Sequence, residues 1–308
     1  MSKKPSVRNT SSKAEKPLRV AVTGGSGRIG SHVVEQLVAR GHRVWNLDRR
    51  EATHPVARFI FLDLRKRELV QPVFEQVDAV CHLAEIPNVG GSISPEDVFS
   101  HNTQVGSVVL QTAADLKLQR MIYTSTAQVY GCWGEPQVPA LTLPMDETHP
   151  LQPQNAYSLG KAANEEYARM VSRRQGISTA IFRFPWVIDW DHERDESLMW
   201  VNLERARGKA EGMFTYVHVT DAARAFVLAL ENPRPGCEAY HFIAPEINSS
   251  VPLRERLDQF HPGYPPLPAN WPPFKSPVTT EKAKKHFGWE PRWNLLDLYR
   301  KKFGRDPK

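Results

Sequence analysis

Tyr157 and Lys161 stand four residues apart in N-A-Y-S-L-G-K-A-A-N-E-E, a spacing that puts both on one face of a helix. A lysine ammonium beside a phenol favours the phenolate and lowers its pKa, which makes tyrosine a usable base near neutral pH. The spacing alone is weak, because Y-x-x-x-K arises by chance in roughly every second protein of this composition. The bland alternative is a surface helix with a solvated lysine. Two further features bear on the choice. Thr124, Ser125 and Thr126 close the apolar run R-M-I-Y-T-S-T, at the strand end where parallel sheets hold ligands. Residues 23–30, T-G-G-S-G-R-I-G, set Gly24, Gly27 and Gly30 three apart, between L-R-V-A-V and H-V-V-E-Q-L-V-A-R.

Glycines between a strand and a helix make an anion site. They permit a tight turn, let a pyrophosphate approach the backbone, and leave the N–H groups of the helix N-terminus open. Asp48 closes the next strand-like run, 18 residues past Gly30, where a carboxylate can accept both ribose hydroxyls of an adenosine. A carboxylate there repels a 2′-phosphate and favours NAD. Arg28, Arg49 and Arg50 lie close enough in sequence to keep NADP as the lesser alternative.

The elements that must carry these residues alternate along the chain. L-R-V-A-V-T-G, R-V-W-N-L-D, A-R-F-I-F-L-D-L, D-A-V-C-H-L-A-E, R-M-I-Y-T-S-T, S-T-A-I-F-R-F-P-W-V-I and F-T-Y-V-H-V read as strands. Helical segments fall between them, including a long one opened by Ser94-Pro95-Glu96-Asp97, an N-cap followed by proline in the first turn. Continuous apolar strands alternating with helices predict an α/β fold: a Rossmann-type doubly wound parallel sheet covered on both faces. The expected division is a basic tail (1–17), a dinucleotide-binding domain (18–188, with 214–243 returning to it), and a small irregular substrate-binding part (189–213 and 244–308). Seven prolines between His261 and Pro277 exclude a long helix or central strand there. They predict a connection over the surface rather than a proline-rich ligand.

Bulk properties remove several function classes. The 308 residues are 41% hydrophobic and 24% charged, an ordinary globular composition. No apolar stretch is long enough to cross a bilayer, and the N-terminus has no apolar segment of a secretory signal. The net charge of +6 sits at the ends, with +4 in the first 17 residues and +4 in the last nine, so the body carries −2. Basic ends of this kind are solvated tails more often than a nucleic-acid footprint. Three scattered cysteines, Cys81, Cys132 and Cys237, point to a reducing cytoplasm. The acidic stretch 189–196 around His192 lacks a ligand spacing, so no metal is expected.

The sequence resembles the extended short-chain dehydrogenases/reductases, the group of NAD-dependent epimerases and dehydratases. Matching stretches run in order from T-G-G-S-G-R-I-G (23–30) through D-L (63–64), H-L-A (82–84) and H-N-T-Q-V-G (101–106). They continue with Y-T-S-T-A-Q-V-Y-G (123–131), Y-S-L-G-K (157–161), V-H-V-T-D (217–221) and F-G-W-E-P (287–291). The resemblance implies that Tyr157 is the general acid/base, that Lys161 binds nicotinamide ribose and tunes Tyr157, and that Thr126, rather than Ser125, holds the reacting oxygen, with Ser125 as a further substrate contact. It implies cofactor contacts from Gly24, Gly27, Arg28, Ile29, Gly30, Asp48, Asp63, Leu64, Leu83, Ala84 and Asn102. It also implies a homodimer through two long helices near 94–117 and 154–175.

Departures from the family pattern narrow the reaction. Dehydratases follow the catalytic threonine with Asp-Glu, whereas Ala127 and Gln128 stand here and cannot shuttle protons at neutral pH. Epimerisation and simple dehydrogenation of a sugar's secondary hydroxyl remain. Arg183-Phe184-Pro185-Trp186 and Phe214-Thr215-Tyr216 lack the asparagine and arginine that usually contact a nucleotide diphosphate. The expected substrate is therefore a free sugar or sugar acid, with a nucleotide sugar as the alternative. A non-catalytic dinucleotide-binding sensor or scaffold is the reading from another class. Glu85, where the family has a small residue, is expected to orient substrate hydroxyls or to face solvent.

Overall fold

The computed structural model describes residues 16–51, 55, 57–87, 93–133, 137–189 and 211–305. Seven strands form one sheet: β1 (Arg19–Thr23), β2 (Arg43–Asp48), β3 (Arg58–Phe61), β4 (Ala79–His82), β5 (Arg120–Thr126), β6 (Ser178–Phe184) and β9 (Cys237–His241). Their order is β3-β2-β1-β4-β5-β6-β9, with every pair parallel. The side-chain period of two explains why the strands read as continuous apolar runs: both faces are buried. In β1, Val20 and Val22 enter one core while Ala21 enters the other.

Helices α1 (Arg28–Ala39), α2 (Arg67–Phe74), α3 (Pro95–Asp115), α4 (Ala156–Gln175) and α5 (Val219–Glu231) cover these faces. The first core takes Val33, Val34 and Leu37 from α1 with Ala222, Phe226 and Leu230 from α5. The second takes Val70 from α2, Val105 and Val109 from α3, and Ala168 and Val171 from α4. The doubly wound α/β sheet expected from the sequence is the fold observed. Ser94 caps α3, its hydroxyl accepting from Asp97 N–H at 3.1 Å, with Pro95 in the first turn.

One expected strand divides. S-T-A-I-F-R-F-P-W-V-I breaks at Pro185, which has no N–H to continue the ladder. β6 stays in the main sheet, and β7 (Trp186–Ile188) pairs with β8 (Tyr216–His218) in a separate two-stranded parallel sheet. The acidic residues 190–196, including His192, lie outside the described residues.

After the main sheet come α6 (Leu253–Phe260), α7 (Glu281–Phe287) and α8 (Leu295–Phe303). The proline-rich stretch is a connection held to the body by buried Leu267 and by Trp271 and Phe274, as its composition predicts. Ala283, Phe287 and Trp289 rejoin the first core beside α5. Trp289 is fully buried, and its indole N–H donates to Asp221 O at 3.0 Å. Trp289→Ala is expected to lower unfolding free energy by about 3–5 kcal/mol in urea titration, the usual range for truncating a buried aromatic. A loss below about 1 kcal/mol would show that this seal contributes little.

Candidate active site

The C-terminal ends of the parallel strands share one edge, where Gly24, Asp48, Asp63, Leu83, Ala84 and Thr126 end or follow their strands, while Asn102 comes from α3 and Tyr157 and Lys161 from α4. Gly24 follows β1 with φ +71°, the left-handed region that glycine enters without strain. A Cβ there would sit 2.8 Å from Ala84 N, and one on Gly30 would sit 2.0 Å from Gly24 O. The glycines thus let the β1 end, the β4 end and α1 approach closely. Gly27 caps α1 without a side-chain bond, and Arg28 and Ile29 open the helix, so its first N–H groups face the loop. This is the cradle a dinucleotide pyrophosphate requires.

Asp48, at the end of β2, has Oδ2 accepting from Ser26 N–H and Oδ1 from Arg50 N–H, each at 3.0 Å. It therefore fixes the glycine loop from the end of β2. Asn46, which the sequence reading missed, is buried and donates to Ser26 Oγ at 3.0 Å. Asp63 is gripped by Arg65, whose guanidinium and backbone N–H hold its carboxyl well below the usual carboxylate range. Leu64 is buried beside it. Leu83 and Ala84 donate their N–H groups to Thr23 Oγ1 at 3.2 and 3.3 Å. Asn102 is fully buried, and its amide is committed to the backbone of Ile86, accepting from N–H at 2.8 Å and donating to C=O at 2.9 Å. It shapes the loop after β4 rather than offering its side chain to a ligand.

The reacting end is built on α4. Asn155 caps that helix in a reciprocal box with Ser158, which sets the rotation of the first turns. The half-buried Tyr157 phenol has Thr126 beside it, which acts to lower its pKa. Lys161 Nζ donates to Thr124 O at 2.6 Å and lies 5.7 Å from the Tyr157 ring centroid. Tyrosine, lysine and threonine come together as the sequence reading requires.

Two expected substrate contacts are placed differently. Glu85 points inward, its side chain 3% exposed, with Oε2 2.9 Å from Lys161 Nζ. Its Oε1 accepts from Tyr123 OH at 2.9 Å and from Asn164 Nδ2 at 3.3 Å. The expectation that it orients substrate hydroxyls or faces solvent is corrected by this ion pair. Ser125 also turns inward and donates to Glu165 Oε1 at 2.6 Å, which removes it from the substrate face. Glu165 in turn takes Arg183 Nε at 3.0 Å and Nη2 at 2.6 Å. Burial pushes the Glu165 carboxyl up, but Arg183, Ser125 and Arg169 outweigh it and hold it below its ordinary value.

Asn164 is a functional residue the sequence reading missed. It donates to Asn102 O at 3.0 Å as well as to Glu85. It can do so because Gly106 of α3 leaves room: a Cβ there would fall 2.1 Å from Asn164 Nδ2. The glycine of H-N-T-Q-V-G was the available signal.

Electrostatics modify the sequence expectation for Tyr157. Burial raises its pKa above the ordinary tyrosine value, Lys161 and Thr126 pull it down, and Glu85 pushes it up. For Lys161, burial acts downward, but Glu85, then Tyr157 and Glu165, outweigh it and keep the amine charged.

A doubly wound parallel sheet with this cradle and a Tyr-Lys-Thr cluster at one edge defines an enzyme of the dinucleotide-dependent oxidoreductase class. The family model described as the NAD dependent epimerase/dehydratase family matches residues 20–242. The protein belongs to that family, of the extended short-chain dehydrogenase/reductase type, and its cofactor is NAD. It is 28% identical over 317 residues to a UDP-glucose 4-epimerase of Lacticaseibacillus casei, covering 91% of this chain and 94% of that one. It is 30% identical over 256 residues to a probable dTDP-glucose 4,6-dehydratase of Sinorhizobium fredii, covering 71% and 69%. Among solved structures, UDP-glucose 4-epimerase of Thermus thermophilus in complex with NAD superposes with a TM-score of 0.63 at 26% identity, covering 90% and 94%. The Thermotoga maritima UDP-glucose 4-epimerase with UDP-glucose gives 0.68 at 23%, covering 92% and 99%. No helix among the described residues is long and apolar enough to cross a membrane.

Gly24→Ala is expected to weaken NADH binding, read by fluorescence titration, on the order of tenfold or more, since it adds both backbone strain and a clash. Unchanged affinity would remove the glycine loop from the cofactor site.

Proposed function

We propose that the protein is an NAD-dependent epimerase that acts on a secondary hydroxyl of a nucleotide-linked sugar. The observation that carries the chemistry is the half-buried Tyr157 phenol with Thr126 beside it and the Lys161 ammonium 5.7 Å from its ring centroid. Relatives matched along nine-tenths of the chain support the substrate class.

The chain's own residues divide the work. Gly24, Gly27, Gly30 and the start of α1 would hold the pyrophosphate, Asp48 the adenosine ribose, with Asp63, Leu64 and Ala84 alongside. Tyr157 removes the proton of the reacting hydroxyl and returns it in the reverse step. Thr126 donates to that oxygen and keeps it within reach of the phenol. Lys161 favours the phenolate and meets the nicotinamide ribose. Bound NAD supplies a hydride acceptor that gives the hydride back. Ala127 and Gln128 add no further acid or base, which argues against dehydration.

A second reading keeps the chemistry but takes a free sugar or sugar acid. Arg183-Phe184-Pro185-Trp186 and Phe214-Thr215-Tyr216 favour it, because they lack the asparagine and arginine that usually contact a nucleotide diphosphate in the family. Assay of the purified chain with UDP-glucose and UDP-galactose separates the two. Interconversion without net NADH supports the first reading, and NADH formation on free sugars or sugar acids supports the second. Tyr157→Phe is expected to lower turnover by about 10²–10⁴-fold with NAD binding retained. Full activity in that variant would end the catalytic reading in favour of a dinucleotide sensor.

The assembly proposed with this function is a homodimer through α3 and α4, which pack on each other and leave Leu159 half exposed. Sedimentation equilibrium is expected to give twice the 35.0 kDa chain mass. A single-chain mass at micromolar concentration would refute it.

A further inference from the structure

A carboxylate buried against the working lysine of a tyrosine-lysine site is not needed to bind the lysine's ligand or to take a substrate proton. Glu85 is such a group. It sits on the loop after β4, three residues past His82, and reaches under the site to Lys161 Nζ at 2.9 Å. Both side chains are almost fully buried. Its other oxygen takes the Tyr123 hydroxyl from β5 at 2.9 Å and the Asn164 amide from α4 at 3.3 Å. His82 Nε2 lies 3.7 Å away, but burial holds that imidazole down to about 3, so it is neutral. Its Nδ1 is paired with Thr23 Oγ1 at 2.6 Å. The loop is fastened on its far side by Asn102, whose amide brackets Ile86.

The ammonium has three donors. One is committed to Thr124 O at 2.6 Å, and Glu85 Oε2 meets the ammonium as an ion pair at 2.9 Å. Glu165, four residues on along α4, adds a second negative charge near Lys161, but it is already paired with Arg183 and Arg169. Tyr157 has Lys161 and Thr126 on one side of its ionisation and Glu85 on the other. Among the described residues, Glu85 is therefore the carboxylate paired with Lys161 that has no other charged partner.

We infer that Glu85 is a positioning residue, the buried counter-ion that locks the Lys161 ammonium beneath Tyr157 and moderates its pull on the phenol. The inference rests on the catalytic reading of Tyr157, but the charge relation between the two side chains exists with or without turnover. A negative charge near a phenol disfavours the phenolate. Removing the charge while keeping the shape leaves Lys161 acting on Tyr157 unopposed, and the phenol then ionises at lower pH.

The test is a pH titration of tyrosinate absorbance on the NAD-bound protein. The signal of Tyr157 is isolated from the eight tyrosines by subtracting the Tyr157→Phe protein carrying the same substitution at 85. In Glu85→Gln the Tyr157 transition is expected about one pH unit lower than in the wild type. The lower limb of the kcat/KM profile should move with it, and Glu85→Asp, which retains the charge, should return both towards wild type. A transition at the same pH or higher in Glu85→Gln would overturn the inference. If Glu85→Gln fails to bind NADH or fold, Glu85→Met, apolar and close in volume, takes its place with the same two outcomes. A wild type without turnover would sink the catalytic reading alone, and the titration would still decide whether Glu85 governs the phenol.

Discussion

A lysine ammonium placed almost out of reach of water must be surrounded by acceptors, because an unpaired buried charge costs several kcal/mol. Much of the site's architecture can be traced to meeting that demand at Lys161. The last residues of β5 turn Thr124 O toward it, and the loop after β4 brings Glu85. The capping box at Asn155 and Ser158 fixes the phase of α4, so that Tyr157, Lys161 and Glu165 descend one face in order. Gly106 then lets α4 close on α3 until Asn164 reaches both Asn102 O and Glu85. Replacing any one of these partners by an apolar group leaves another polar group buried without its match.

The same demand accounts for the charge pattern beneath the site. Lys161 and Arg183 are balanced by Glu85 and Glu165, with Ser125 and Tyr130 closing the remaining bonds. The balance leaves little net positive field for a phenolate. Burial, with Glu85 adding to it, outweighs Lys161 at Tyr157 and raises its pKa above the ordinary tyrosine value. Sequence spacing shows the lysine that favours ionisation. It does not show the carboxylate that restrains it, since that carboxylate arrives from a different strand.

Much of the fold was legible before any coordinates. The strands are legible because both faces of a parallel sheet are buried, which makes each a short continuous apolar run. Ser94, Asn155 and the glycines mark element ends by local chemistry, and that survives folding unchanged. The Pro185 break was written in the sequence, but the sheet that takes up β7 depends on β8, about 30 residues later in a parallel pairing. α2 carries Pro72 inside it, and the packing of Val70, Val73 and Phe74 overrides the local rule for proline. At the site, residue types announced Tyr157, Lys161, Thr126 and the cradle. The directions of Glu85 and Ser125 were not announced, because a strand-end side chain can turn outward or inward, and only the cations waiting inside decide which.

Those inward commitments also shape the substrate side. Arg183 closes β6 at the ligand edge, yet its guanidinium is held by Glu165, Tyr130 and Glu147 O. Arg256 of α6 is buried with its guanidinium over Phe214 at 5.2 Å and Phe260 at 5.5 Å, and its Nε donates to Ser249. Trp133 donates its indole N–H to Thr215. Both buried arginines serve as packing and pairing groups, so neither can turn to a phosphate without breaking an internal bond. A nucleotide-linked substrate would have to draw its phosphate contacts from other groups.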